Sequence, residues 1–350
     1  MLKEVVIMSL DKRKLKILST IIDIHVKTGE PVGSKAVCDA LDISISSATV
    51  RNEMASLSEA GLLEQPHTSS GRIPSSQGYR LYINELMKPK PIPKQEQRII
   101  YANLSDNISS PSELLSNAAN ILASMSKFVA ISTSPIDSQS HISNIQLVQT
   151  GQSSAMLVIA FTPSDVVSRS FRCKFDLNSE LLNVFNMVLS KKFVGVKLYD
   201  IDEDFIRKVA LDLGELAILM SPVLAAIHQA VKKTLKKQIL LEGQTNLLFL
   251  PGLNINSVRQ TLDFLNHKDK LIKLLDSEDG DVKVLVGFEM DQPELIDSSI
   301  ILSKYRLDGR YAGTIGILGP TRMDYAKMIS SIKYLSEVVG ELLEQMLNDN

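Results

Sequence analysis

Ser46-Ser47-Ala48-Thr49-Val50-Arg51-Asn52-Glu53-Met54-Ala55-Ser56-Leu57-Ser58-Glu59-Ala60-Gly61 has the length and the punctuation of a single helix. A serine opens it with the hydroxyl that caps orphan amides, and a glycine closes it. At 100° per residue, Met54 and Leu57 fall within about half a right angle of Val50 and define a buried face. The opposite side presents Ala48, Asn52, Ala55 and Glu59, flanked by Thr49, Arg51 and Ser56. Thr49, Arg51 and Asn52 in the first half match the chemistry of the DNA major groove. Arginine can pair bidentately with guanine, asparagine with adenine, and a threonine or alanine methyl can touch thymine. Small neighbours such as Ala48, Ala55 and Ser56 would let the helix sit deep in the groove. Taken alone, the same face also fits an ordinary solvated helix, so its surroundings decide.

Upstream, the pattern predicts a helix from a cap at Ser9 to Lys27, with Leu15, Leu18 and Ile22 on one face and Thr28-Gly29 as the stop. A short helix over 35–41, capped by Ser34, follows, and then the turn Asp42-Ile43-Ser44. Downstream, Leu62 to Gln65 reads as a short strand, 66–74 as a loop rich in Thr, Ser and Gly, and Gln77 to Met87 as a fourth helix. Three helices, a strand and a loop ending in a basic residue are the plan of a winged helix-turn-helix. Arg72, after Ser69-Ser70-Gly71, suits a phosphate or minor-groove contact from the wing, or else a plain charged turn. His67 can touch DNA from the same loop, or simply be a surface histidine. Ser34, Ser46 and Ser47 are candidate phosphate donors, although capping accounts for Ser34 and Ser46. Before Tyr101 the only aromatics are Tyr79 and Tyr82. Single-strand and RNA binders need a stacking platform, so duplex DNA is the better reading.

The whole chain has 350 residues, enough for two or three domains. Hydrophobic residues make up 44% and charged residues 22%, which suits a globular protein and no disordered one. No apolar run approaches the roughly 18 residues of a membrane span. The longest candidate, Ile218 to Ile227, is cut by Ser221 and Pro222. The short run Val5 to Met8 precedes the charges of 11–14 instead of following a basic segment, so it is no signal peptide. These features point to a cytoplasmic protein. Cys38 and Cys173 form no CxxC, and five scattered histidines show no metal-ligand spacing, so no metal or cofactor is expected. Residues 1–98 hold 14 Lys+Arg against 11 Asp+Glu, while 99–350 hold 24 against 29. The asymmetry is mild and proves nothing alone, but it marks the N-terminal end as the one to search for a polyanion partner.

Lys88-Pro89-Lys90-Pro91-Ile92-Pro93-Lys94 favours extended polyproline II and marks a stiff spacer. Beyond it, 120–127 is helical and strands are expected at His141–Thr150, Ala155–Phe161 and Val166–Phe175, with a hairpin turn at Gly151-Gln152-Ser153. Helical patterns fill most of 179–237, and Ser221-Pro222 has the chemistry of a new helix start. Gln238–Leu250 reads as an isolated hairpin. A helix over about 255–275 precedes strands at Val282–Met290, Ser298–Arg306 and Tyr311–Leu318. The last helix carries Met328, Ile332, Leu335, Val339, Leu342 and Met346, a stripe that fits packing on a sheet better than a coiled coil. This order suggests one α+β domain interrupted by an insertion. The basic cluster Lys232, Lys233, Lys236 and Lys237 fits a solvated helix end.

Catalytic signals are poor. Gly151-Gln152-Ser153-Ser154-Ala155 misses the last glycine of a nucleophile elbow, and Gly313, Gly316 and Gly319 are no phosphate-binding fingerprint. His25 and Cys38 fall in core helices. The residues carry no enzyme signature and no catalytic site.

Three stretches resemble one family closely. They are Thr28-Gly29-Glu30-Pro31-Val32-Gly33-Ser34-Lys35, then Ser46 to Met54, then Gly61-Leu62-Leu63-Glu64-Gln65-Pro66-His67-Thr68-Ser69-Ser70-Gly71-Arg72-Ile73-Pro74. With Gly78-Tyr79-Arg80 and Gly319-Pro320-Thr321-Arg322-Met323-Asp324-Tyr325, the chain resembles the bacterial heat-inducible transcription repressors, the HrcA family. The resemblance implies a winged-helix domain over 1–88, a Pro/Lys-rich linker over 89–98, a GAF-like domain over 99–175 and 254–350, and an inserted dimerisation domain of helices and a hairpin over 176–253. It implies a homodimer binding an inverted-repeat DNA operator (CIRCE) ahead of chaperone operons, with activity modulated by the GroEL chaperonin. On that basis Ser47, Thr49, Arg51, Asn52, His67 and Arg72 are the expected DNA contacts. The alternative is a winged-helix regulator whose GAF-like domain responds to a small ligand.

Overall fold

The computed structural model describes residues 11–42, 45–66, 71–106, 108, 110–134, 140–162, 165–235, 238–250, 254–276 and 280–348. The expected cap at Ser9, the turn residues Ile43 and Ser44, the loop residues His67, Ser69 and Ser70, and Lys236 and Lys237 lie outside them.

Helix α1 (Lys12–Thr28) is capped by Asp11, whose Oδ1 accepts the Lys14 amide at 2.8 Å, and ends on Gly29 at φ 75°. Its buried stripe is Ile17, Leu18, Ile21, Ile22 and His25. Helix α2 (Ser34–Ala40) starts one residue earlier than expected: Gly33 is the cap residue and Ser34 the first helical one, with no side-chain cap. Helix α3 (Ser47–Glu59) follows, capped by Ser46. Strands β1 (Leu63–Glu64) and β2 (Ile73–Pro74) pair antiparallel, and Val32 bridges to Arg72 as a rudimentary third strand. Helix α4 (Ser76–Leu81), capped by Ser75, ends in a wide π-type turn over Tyr82–Leu86. The spacer is shorter than the expected 89–98, because α5 (Lys94–Ser105) begins directly after Pro93, which occupies its cap position.

Helix α6 (Pro111–Ser126), with Ser110 as cap and Pro111 in its first turn, leads into β3 (Val129–Thr133). Strands β4 (Ile142–Gly151), β5 (Ser154–Phe161) and β6 (Asp165–Arg172) form a separate antiparallel sheet. Helices α7 (Ser179–Phe193), α8 (Glu203–Leu213) and α9 (Leu216–Thr234) share one buried cluster with β4 and β5, including Leu147, Leu157, Phe185, Phe193 and Ile227. Strand β7 (Ile239–Glu242), helices α10 (Ile255–Asn266) and α11 (Lys268–Asp276), and strands β8 (Val282–Val286), β9 (Ser298–Leu307) and β10 (Arg310–Pro320) precede the final helix α12 (Tyr325–Asn348). The second sheet is antiparallel, in the order β7-β3-β10-β9-β8. Both of its faces are buried: Ala130, Ile301, Ile315 and Ile317 share a cluster with α6 and α12, and Ile131, Ile300, Leu302 and Leu318 with α10 and α11.

Four expectations are corrected. The strands of 142–172 pair only with each other and share a core with α7–α9, so this unit runs from about residue 140 to 235, not 176–253. Gln238–Leu250 is no isolated hairpin: β7 pairs with β3 at the sheet edge, and Gly243 at φ 75° turns the chain into a 3-10 segment. Pro222 starts no new helix but lies within α9, where the Ser221 hydroxyl donates to the Ile218 carbonyl (3.1 Å) that proline cannot serve. The helix expected over 255–275 is divided at His267, which caps the end of α10. The stripe on α12 does pack on the sheet, with Met328, Ile332, Leu335, Val339 and Leu342 all buried. Among the described residues no helix is long and apolar enough to cross a membrane, and no group of His, Cys, Asp and Glu has the makings of a metal site.

Candidate nucleic-acid interface

The outward side of α3 forms as its periodicity dictates. Val50, Met54 and Leu57 are buried, and Ser47, Ala48, Arg51, Asn52, Ala55 and Glu59 are exposed. The Ser46 hydroxyl accepts the Thr49 amide at 3.1 Å and lies 2.9 Å from the Thr49 hydroxyl. The cap therefore holds the first turn, leaving Thr49 half-buried beside it. Neither Arg51 nor Asn52 has a side-chain hydrogen bond or ion pair among the described residues. Both are exposed, with small Ala48 and Ala55 as neighbours on the same side. The helix thus offers one bidentate cation and one bidentate amide without having to break a contact first.

Glu53 is the residue that sequence reasoning missed on this helix. It is buried, and its Oε1 accepts from Arg13 Nη2 at 2.5 Å, with Lys14 Nζ 3.9 Å from Oε2. This bond fixes the register of α3 on α1. A charge-assisted bond of this kind contributes about 1.5–3 kcal/mol, at the lower end here because Arg13 is half in solvent. The signal was present: at 100° per residue Glu53 falls about 60° from Val50 and about 40° from Leu57, at the edge of the buried side.

Arg72 is less free than a flexible basic tip would be. Its amide donates to Val32 O at 2.9 Å and its carbonyl accepts from the Val32 amide at 2.8 Å. Its Nε donates to the Ser58 hydroxyl at 3.0 Å, and Ser58 in turn donates to the Met54 carbonyl at 3.0 Å. Ser58 lies on the flank of α3 that also carries Arg51, seven residues away or about 10 Å along the axis. The structure therefore brings Arg72 to the recognition-type helix, where its side chain braces the base of the wing. Of the six expected contact residues, Ser47, Thr49, Arg51 and Asn52 lie together in the first half of α3, Arg72 lies against its second half, and His67 is outside the described residues.

The turn that carries Val32 is held by His25, whose ring Nδ1 is 3.0 Å from the Glu30 carbonyl oxygen. Burial lowers the His25 pKa below its ordinary 6.5; the carbonyl bond opposes this and the nearby Arg322 guanidinium adds to it. As pH falls below about 6.5, the unfolded chain takes up this proton before the folded one does, so the folded state loses stability. Thermal unfolding of the full chain should show a midpoint that falls between about pH 7 and 5.5 by an increment absent in His25→Gln. Equal pH dependence in the two proteins would remove His25 from this role.

Comparisons with known proteins follow the same division of the chain. A family model described as winged helix-turn-helix transcription repressor, HrcA DNA-binding, matches residues 9–87. A second, described as HrcA protein C terminal domain, matches residues 112–329. The heat-inducible transcription repressor HrcA of Carboxydothermus hydrogenoformans is 33% identical over 335 residues, covering 95% of this chain and 98% of that protein. The repressor of the same name from Acetivibrio thermocellus is 32% identical, covering 97% and 98%. A crystal structure described only as that of a hypothetical protein superposes with a TM-score of 0.65 at 22% identity, covering 97% of this chain and 99% of the other. That likeness speaks for the fold alone.

Proposed function

The chain belongs to the HrcA family of heat-inducible transcription repressors, and from that premise we propose that it represses chaperone operons by binding a CIRCE-type inverted repeat as a homodimer, with GroEL modulating its activity. The observation that carries the DNA-binding part is the exposed Arg51–Asn52 pair on a capped helix whose second half is braced to the wing through Ser58 and Arg72. Ser47, Thr49, Arg51 and Asn52 are the proposed groove-facing contacts, with Arg72 and His67 contributing from the wing.

Two further features support the reading. The α+β unit built on the five-stranded sheet has the helix-flanked form expected of a GAF-like domain. The inserted unit over about 140–235 has its own core yet leaves Met187, Leu211 and Ile218 exposed by 65%, 76% and 77%. Exposed apolar side chains of that size suit an interface with a second copy. One winged helix reads few bases, whereas two held on a two-fold axis read two half-sites with a large gain in effective concentration.

The test is fluorescence anisotropy at fixed salt, using an inverted-repeat duplex and a scrambled duplex, with and without GroEL. Preference for the repeat that GroEL enhances is the expected result. A preference indifferent to GroEL would retain the DNA-binding part and direct attention to a small ligand in the GAF-like domain. Equal binding to both duplexes by folded protein would overturn the proposal.

A further inference from the structure

The winged helix does not hang from its spacer. Arg80, on α4, reaches across to the C-terminal unit, where Nε donates to Glu289 Oε1 at 2.8 Å and Nη2 donates to the Val284 carbonyl at 2.6 Å and also to Glu289 Oε2. Glu289 Oε2 further accepts the Val286 amide at 2.9 Å, which fixes the carboxylate on the turn after β8. Both side chains are largely withdrawn from solvent, at 25% and 18% exposed. Beside this fork the Tyr79 and Tyr325 rings meet with centroids 5.8 Å apart, and both belong to one continuous apolar cluster running from α1 through α4 into α12. Gly287, at φ 56°, lets the turn approach the start of α4 so closely that an added Cβ would lie 2.7 Å from the Ser76 hydroxyl. Lys90, in the spacer, pairs with Asp324 at 2.9 Å.

Domains joined by a small polar contact move relative to each other by default. Here a two-pronged, low-solvent ion pair, a shared apolar core and a proline-rich spacer all oppose such motion. The recognition-type helix is in turn tied to α1 through Glu53 and to the wing through Ser58. A continuous rigid path therefore runs from the five-stranded sheet to Arg51 and Asn52.

We infer that the Arg80–Glu289 fork is a specificity-determining element: it fixes each winged helix on its C-terminal unit so that the dimer accepts only one separation of the operator half-sites. This rests on the dimer reading above. Each base pair added between half-sites turns one of them by about 34° around the duplex and moves it about 3.4 Å. A rigid pair of recognition helices cannot follow that change, whereas a pair released at the fork can. Arg80 and Glu289 thus act as positioning residues and touch no base.

The experiment measures binding of the full chain to CIRCE-type duplexes with the natural spacer, with spacers one or two base pairs longer or shorter, and to a single half-site. Wild type, Glu289→Gln and Arg80→Lys are compared, the two variants being close in size to the residues they replace. The expected wild-type penalty for a one-base-pair change is roughly tenfold or more, falling to within roughly threefold in both variants while half-site affinity stays unchanged. A loss that came only from weakened folding would lower half-site binding and leave the spacing penalty intact. No wild-type preference for the repeat over the half-site overturns the dimer reading and this inference with it. A clear wild-type preference joined to unchanged spacing penalties in both variants overturns the inference alone.

Discussion

Asn52→Ala should cost about 1–3 kcal/mol of operator binding, roughly fivefold to over a hundredfold in affinity, and leave binding to scrambled duplex nearly unchanged. The asymmetry follows from where the side chain is. The Asn52 side chain is exposed and makes no hydrogen bond or ion pair among the described residues, so its removal takes nothing from the fold. Thermal stability of the variant should match that of the wild type. What is lost is a bidentate partner for a base edge, and scrambled DNA gains little from such a partner. Arg51→Ala should behave alike, with a larger drop in salt dependence because it also removes a positive charge. Arg72→Ala makes the contrast: it should weaken binding to both duplexes, since a wing contact to phosphate is indifferent to sequence. Anisotropy titrations on both duplexes across a salt series separate the three patterns. Equal losses on operator and scrambled DNA for Asn52→Ala would exclude it from base readout.

How much of this site could be read from the sequence depends on the range of the interactions that make it. The capped helix at Ser46, its buried side at Val50, Met54 and Leu57, and its exposed Arg51 and Asn52 are set by spacing within a dozen residues, and the structure has them where the periodicity puts them. Glu53 and Ser58 escaped because their partners are Arg13 and Arg72, which are 40 and 14 residues away in the chain. The larger part of the chain repeats the lesson. Each strand of 142–172 was legible from its alternation, but which sheet it joins was not. That choice is made by helices α7–α9, whose apolar faces meet Leu147 and Leu157 and draw the hairpins away from the five-stranded sheet. Likewise β7 was visible as an extended segment, while its partner β3 lies more than a hundred residues upstream, beyond the whole inserted unit. Pro222 misled for a local reason. A proline after serine is a good helix start, yet burial of Met220, Val223, Leu224 and Ile227 along one continuous side outweighs one missing amide bond.

Gly71→Ala tests the wing through the backbone instead of a side chain. At Gly71 an ideal Cβ would lie 2.4 Å from both the carbonyl carbon and the oxygen of Val32, and 2.9 Å from the Gly33 nitrogen. All three are main-chain atoms, so no rotamer can relieve the overlap. The strand must move instead, and the movement separates Val32 from Arg72, breaking the two backbone bonds of 2.8 and 2.9 Å that join them. With its main chain displaced, Arg72 can no longer keep Nε on Ser58, and the wing loses its hold on α3. Overpacking of this kind costs about 3 kcal/mol or more when backbone is the obstacle. Hydrogen exchange should therefore accelerate roughly a hundredfold at the Val32 and Arg72 amides, and operator affinity should fall without any change in Arg51 or Asn52. Gly33→Ala is the control, since a Cβ there meets nothing within 4 Å. It should cost under about 1 kcal/mol, as expected for losing glycine at a helix cap. If Gly71→Ala left both amides protected, the close approach of the wing to Val32 would not be what holds Arg72 against α3.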